Sequence, residues 1–389
     1  MKIWLLNDYN HSKYSFFRDL CSDFSRETGI NIDMEIKSKE NLWNSMFNFF
    51  ERPEEKPADI IEIPHQWTSL MTKLGLALPL DLIMKDPEKM DFFPFLKKGM
   101  IFEFSQRMYS VPIYFEIICL YYRKDMVLDV FSRSEMDELK WEDFLRLCES
   151  LSKKYKRKDY YPLDNTNISG YITSDDILVS VMNRSEGYFS SDNTALNLHK
   201  DEVILSFLEY IELARKKYIP LFEENFYDIG FIKKALSSMA FSFRRDFLDM
   251  DGMEVTRFPD VMRKNELARS FNFMFFSGAD EIDEIKAFMD WFYKQSNILK
   301  LSKTLKTFSP FKSDMDKLLT KKEISFFDKI MEKSSLIPNN VVYPSFERMT
   351  DEALKEICIK IVNNEYDENE FKDKIMEIKA LTEYLISSY

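Results

Sequence analysis

The sequence predicts an α/β protein organised as two lobes. Three observations carry that expectation. Strand and helix alternate through the first sixty residues, the pattern of a parallel sheet with crossover helices. The chain has 389 residues, more than one hydrophobic core usually serves. Its periodic segments follow one another without an internal repeat or a low-complexity linker, so no flexible tether is expected between the lobes.

The elements follow from periodicity. Lys2–Leu6 reads as a strand. A helix is expected from about Ser12 to Thr28, because Phe16, Phe17, Leu20, Cys21 and Phe24 recur on one face. Gly29 stands just past its end, where a left-handed cap costs least. Ile30, Ile32, Met34 and Ile36 then alternate with Asn31, Asp33 and Glu35, which predicts a half-exposed strand. Lys39–Phe50 reads as a second helix and Asp59–Ile63 as a third strand. A short helix, His65–Leu74, ends at Gly75. Tyr109–Pro112 and Phe115–Tyr122 read as strands, and Trp141–Leu151 as a helix. Glu202–Lys216 is helical, with Val203, Ile204, Phe207, Leu208 and Ile211 on one face. Phe231–Ser237 reads as a short helix running into a strand, Met239–Phe243. Phe271–Phe276 is a strand and Ile282–Tyr293 a helix. The last hundred residues read as mainly helical.

Composition excludes several classes. Only 8 glycines occur, so no Gly-rich phosphate loop is expected. The net charge of −12 is spread along the chain, which argues against nucleic acid as a partner. The run Lys153–Lys158 reads as a solvated helix end rather than a phosphate patch. Cys21, Cys119, Cys148 and Cys358 are far apart and form no C-x-x-C pair, so buried free thiols are expected. His11, His65 and His199 are dispersed, which argues against a metal centre. No G-x-S-x-G, P-loop, G-x-G-x-x-G or H-E-x-x-H pattern occurs. No enzyme of these classes is therefore expected, and no cofactor. No run approaches the roughly 18 apolar residues of a membrane span, and no signal segment is visible before the first strand.

Several motifs then appear in a familiar order. Lys2–Asp8 forms a strand and loop, Phe24–Ile30 reads F-x-x-x-T-G-I, and Ala58-Asp59-Ile60-Ile61 approximates P-D-I-I. Leu74–Leu80, Val111–Glu116 with Leu120–Asp125, Lys140–Phe144 and Phe231–Met239 follow. In this order the chain resembles the extracellular solute-binding proteins, family 1, of bacterial ABC importers, which include the maltose-binding proteins. The departures, Ala58 for a usual proline and Lys234 for a usual glycine, mark a distant member.

The resemblance implies a two-lobed periplasmic-binding-protein-like fold of type II, with a hinge of crossing strands and a helical C-terminal region. It places residues 1–115 and 273–309 in the N-terminal lobe, and 120–268 and 315–389 in the C-terminal lobe. The crossings would lie near 115–120, 269–273 and 309–315. It implies a monomer that captures a carbohydrate, an oligosaccharide above all, in an interlobe cleft and docks on ABC permease subunits. Two alternatives stay open: an intracellular sensing or regulatory domain of the same fold, and a binding protein for a non-sugar or anionic solute. Location is extracytoplasmic if a signal segment has been removed, and cytoplasmic if the chain is complete as it stands.

Ten residues are candidates for ligand contact. Asp8 follows the first strand, where the family has an aspartate that accepts from sugar hydroxyls; it can instead cap the next helix. Tyr9 adjoins it. Gln66 and Trp67 follow the third strand, and a Trp face can stack on a sugar ring or pack at a helix start. Glu116 stands in an apolar strand, where a buried carboxylate needs a reason. The family places a ligand-binding glutamate there; a salt bridge is the other reading. Tyr114 stands beside it. Asp175, in the run Ser174–Asp176, can touch ligand or help cap a helix. Arg244 and Arg245 follow a strand where the family often has a stacking aromatic; their forked guanidinium groups suit an acidic sugar or a salt bridge. Tyr343 lies near the family's late stacking aromatic.

Overall fold

The computed structural model describes residues 1–7, 11–102, 104–165, 170–190, 195–222, 230–243, 245–260 and 266–388. They form two compact units. The first comprises Met1–Glu116, Arg269–Asp328 and Leu336–Val341; the second comprises Ile117–Ala268, Lys329–Ser335 and Val342–Tyr389.

The first unit holds most of a six-stranded sheet. Its path runs Ser334–Leu336, Glu266–Phe275, Ile60–Pro64, Lys2–Leu6, Asp33–Lys37, and Ser110–Ile117 also pairs with Glu266–Phe275. Lys2–Leu6 pairs in parallel with both Asp33–Lys37 and Ile60–Pro64. The helices His11–Thr28 and Lys39–Glu51 connect these three strands, as the alternation predicts. Glu266–Phe275 runs antiparallel to Ile60–Pro64, with Phe273 opposite Glu62. Strands covered on both faces read as continuous apolar runs, and every residue of Ile60–Pro64 is buried. Phe17 of the first helix packs on Phe273 and Phe292, and Phe24 packs on Phe288 and Trp291.

One expectation about this sheet changes. Asp33–Lys37 is an edge strand, and Ile36 is 40% exposed rather than inward. Its edge carries charge instead, with Lys37 over the Trp4 ring at 4.4 Å and Glu35 between Lys2 and Lys37. Such charges discourage pairing with another chain.

The strand break expected between Pro112 and Phe115 is absent. Ser110–Ile117 is continuous, and the next strand, Cys119–Arg123, starts after Ile118. The third crossing also differs from 309–315. Phe115 and Phe308 exchange backbone hydrogen bonds at 3.1 and 2.9 Å, and Phe308 packs on Phe327, so the chain through Asp328 stays with the first unit. Leu336–Val341 belongs there too, held by bonds from His65 to Ile337 and from Ser69 to Asn339.

The second unit has a four-stranded sheet in the order Met253–Thr256, Cys119–Arg123, Ser237–Ser242, Tyr161–Asn165. The first two pairings are antiparallel and the last is parallel. Helices Trp141–Lys154, Ser174–Arg184, Asp201–Arg215, Tyr343–Val362 and Glu368–Ser388 complete it. Trp141 stacks on Tyr210 and Phe258 in its core. The helix expected over Phe231–Ser237 shrinks to Gly230–Lys233, because Ser237 already belongs to a strand.

All four cysteines are buried and free, and burial pushes the Cys21 and Cys358 thiols up to about 12. No helix among the described residues is long and apolar enough to cross a membrane.

Candidate binding site

In parallel sheets, ligands meet the chain beyond the carboxyl ends of the strands. In the first unit two such ends, Leu6 and Pro64, lie on neighbouring strands. A buried ionic group sits under them. Lys13, from the first turn of its helix, donates to Glu62 Oε1 at 2.8 Å and to the Leu6 carbonyl at 2.9 Å. Glu62 Oε2 accepts from the Leu6 amide at 3.0 Å. Tyr114 Oη donates to Glu62 Oε1 at 3.1 Å. Both charged side chains are fully buried. An ionised pair survives in such a place only when its remaining donors and acceptors are met, and here Leu6 meets two of them. The pair thereby fixes the exit of the first strand. Asn7 is held next, donating to the Lys37 carbonyl at 2.7 Å and accepting from the Tyr14 hydroxyl.

A second group continues along the same face. Tyr114 stacks on Phe271 with ring centres 4.9 Å apart, and Lys13 lies over both rings. The Arg269 guanidinium lies 5.4 Å from the Phe271 ring centre. Arg269 Nε donates to Glu116 Oε2 at 2.7 Å, and the Arg269 side chain is 33% exposed. Carboxylate, guanidinium and ring thus form one connected cluster. The Tyr114 and Phe271 rings are buried, so what the cluster can offer a hydroxyl is the charge-assisted hydrogen bonding of Glu116 and the partly exposed Arg269.

The ten candidates distribute as follows. Asp8, Tyr9 and Arg244 lie outside the described residues. Gln66 and Trp67 follow the Ile60–Pro64 strand as expected, but both are buried. Trp67 packs against Trp43 with ring centres 5.0 Å apart at 74°, so its ring belongs to the core. Gln66 Oε1 and Trp67 Nε1 have no hydrogen-bond partner among the described residues. Tyr114 and Glu116 come together with Arg269 and Phe271, and the salt-bridge reading of Glu116 is realised through Arg269.

In the second unit Asp175 and Tyr343 come together, the Tyr343 hydroxyl donating to Asp175 at 3.4 Å. Tyr343 is wholly buried against Phe189 and Phe346, so it fills the core of its unit and presents no open ring face. Burial, with Asp175 second, pushes its hydroxyl pKa up. Asp175 itself does not cap its helix: Thr173 and Asp176 form the capping box, and Ser174 is held by Asp351 at 2.7 Å. Arg245 is buried at the start of a 3-10 turn, Arg245–Asp249.

Lys13, Glu62, Arg269 and Phe271 were not singled out from sequence. Glu62 carried a signal, since it interrupts Ile60-Ile61-Glu62-Ile63 as Glu116 interrupts its own strand. His65 is a core residue: its Nε2 lies 2.8 Å from the Ile337 carbonyl, and its Nδ1 accepts from the Ser270 amide at 3.3 Å. Among the described residues no group of three or more His, Cys, Asp and Glu side chains is placed to hold a metal ion.

Two units, each on a mixed sheet flanked by helices, define the two-lobed periplasmic-binding class. The chain belongs to the bacterial extracellular solute-binding protein family, whose model matches residues 8–203, half of the chain. Solved structures are similar over essentially the full length. The GacH receptor of Streptomyces glaucescens GLA.O, solved unliganded and in complex with acarbose and an acarbose homolog, is 12% identical with a TM-score of 0.80. The match covers 100% of this chain and 99% of that one. The Thermus thermophilus maltotriose binding protein, bound with maltotriose, is 15% identical with a TM-score of 0.79, covering 99% and 100%. An ABC transporter solute binding protein from Thermotoga lettingae TMO, bound with alpha-D-tagatose, is 11% identical with a TM-score of 0.80, covering 99% of each chain. No curated protein matches the sequence.

Proposed function

We propose that this protein captures a carbohydrate and hands it to the permease of an ABC importer, binding its solute without chemical change. Membership of the solute-binding family carries the reading. Three full-length structural neighbours that hold a sugar or sugar analogue support the solute class. The Glu116–Arg269 pair supports it chemically, because hydroxyl-rich rings are recognised by charge-assisted hydrogen bonds and the Arg269 side chain is partly exposed. An oligosaccharide is the finer proposal. In this role the protein acts as a monomer outside the cytoplasmic membrane.

Titration calorimetry of the full chain tests the reading, using maltotriose, tagatose, acarbose and a uronic acid series. Micromolar binding, about −8 kcal/mol, to a neutral oligosaccharide supports it. Binding confined to the uronic acids redirects it to an anionic solute. No heat with any member of the panel removes the carbohydrate assignment.

A further inference from the structure

Four side chains of the candidate site stand as two cross-strand pairs. Tyr114 and Glu116 are two residues apart in the strand Ser110–Ile117, and Arg269 and Phe271 are two apart in its neighbour, Glu266–Phe275. Residues at that spacing share one face of a strand. The Tyr114 ring stacks on Phe271 at 4.9 Å, and Glu116 Oε2 accepts from Arg269 Nε at 2.7 Å. The Arg269 guanidinium also lies 5.4 Å from the Phe271 ring centre, so the aromatic pair backs the charged pair.

The Tyr114 ring is itself held at its far end. Its hydroxyl donates to Glu62 Oε1 at 3.1 Å, and Lys13 Nζ donates to the same hydroxyl oxygen at 3.4 Å. Lys13 Nζ lies 5.7 Å from the Tyr114 ring centre and 5.9 Å from that of Phe271. Glu62 is fixed at both oxygens, Oε1 accepting from Lys13 at 2.8 Å and Oε2 from the Leu6 amide at 3.0 Å. A buried ion pair adds little stability over an apolar pair of the same volume. What it adds here is direction: a carboxylate fixed at both oxygens fixes the end of one ring, and that ring fixes the next.

We infer that Lys13 and Glu62 are positioning residues: through Tyr114 and Phe271 they set where the Arg269 guanidinium and the Glu116 carboxylate stand. The inference rests on the reading of Glu116 and Arg269 as sugar-binding groups. Lys13 and Glu62 are fully buried, so they act through other side chains and not on the solute. Two torsions orient an aromatic side chain, and Tyr114 is constrained both at its hydroxyl, by Glu62, and at its ring face, by Phe271. The longer Arg269 side chain is partly exposed, and the Phe271 ring and Glu116 restrict its rotamers. A binding group already held in its bound geometry lowers the ordering cost of association. Loosening the network keeps every contact group in place chemically and raises that cost.

Two variants of the full chain test this, each checked for folding by urea unfolding. Tyr114→Phe removes the hydroxyl that meets Glu62 and keeps the ring on Phe271. Lys13→Met with Glu62→Leu replaces the ion pair by apolar side chains of similar volume. The Arg269 Nε–H signal in NMR, assigned by its loss in Arg269→Lys, is expected to exchange slowly with water in the wild type and faster in both variants. Affinity for maltotriose, by calorimetry, is expected to fall about 10-fold in both, the low end of what outer partners of a binding group contribute at metal sites. Unchanged exchange or unchanged affinity in the folded variants leaves Lys13 and Glu62 as stability groups only and overturns the inference. If the wild type binds no sugar, the carbohydrate reading fails, and the Arg269 signal still decides whether Lys13 and Glu62 position that side chain.

Discussion

Lys13 Nζ lies 2.8 Å from Glu62 Oε1, with both side chains fully buried at the carboxyl ends of the first unit's parallel strands. Two ions removed from water in this way are held by each other and by the backbone of Leu6. Removing one partner leaves the other charge buried alone. Lys13→Met or Glu62→Gln is therefore expected to cost about 3–5 kcal/mol in urea unfolding. The double substitution Lys13→Met with Glu62→Leu is expected to recover most of that loss, since an apolar pair of similar volume carries no desolvation cost. Additive losses in the double variant would show that the two side chains act separately.

Glu116 is buried and Arg269 is partly exposed, so Glu116→Gln is expected to cost about 1–3 kcal/mol of folding stability. If the pair meets ligand hydroxyls, Glu116→Gln lowers sugar affinity about 10- to 100-fold, the range of a hydrogen bond to a charged group. Calorimetry and thermal unfolding separate the outcomes; full affinity in Glu116→Gln would leave Glu116 as a structural partner of Arg269 only.

Tyr343 divides stability from binding in the opposite sense. Its ring is enclosed by Phe189 and Phe346, and its hydroxyl makes a long bond to Asp175. Tyr343→Phe is expected to keep stability within about 1 kcal/mol. Tyr343→Ala is expected to lose about 3–5 kcal/mol through the cavity it leaves. Neither should change ligand affinity once folded, and an affinity loss in Tyr343→Phe would return this residue to the binding surface.

Asp164 gives the second unit a pH dependence of defined sign. Its carboxyl is raised from 3.8 to about 7 in the folded chain, so the folded state holds the proton more tightly. The stabilisation is complete below the unfolded value, shrinks as pH rises from about 4, and is gone above about 7. A tenfold difference in proton affinity between the folded and unfolded chain corresponds to about 1.4 kcal/mol. Urea unfolding of the wild type is expected to show lower stability at pH 8 than at pH 5. Asp164→Asn should flatten that difference, and identical profiles for the two proteins would assign it to other groups.

Much of the first unit was legible in the sequence because local periodicity and burial agree there. The helix His11–Thr28 carries its buried face at helical spacing, and Ile60–Pro64 is an apolar run because both faces of its sheet are covered. The strand Tyr161–Asn165 was not legible. Pro162, Asp164 and Asn165 disfavour a strand by propensity, and pairing with Ser237–Ser242 overrides them. The edge strand Asp33–Lys37 misled in the other direction, since its alternation suggests a buried face that its place at the sheet edge does not supply.

By itself the sequence determined the class of the fold, the order of its main elements, and Glu116 as a carboxylate that needs a reason to be buried. Those properties depend on local patterns: spacing of apolar residues, helix ends, and a charge in an apolar strand. The tertiary structure decided who meets that charge. Arg269 lies 153 positions away from Glu116, and Glu62 is 49 from Lys13. No local rule links residues so far apart; the register between Ile60–Pro64 and Glu266–Phe275 places Glu62 opposite Phe273 and two residues from Phe271, where both charged pairs meet the aromatic rings.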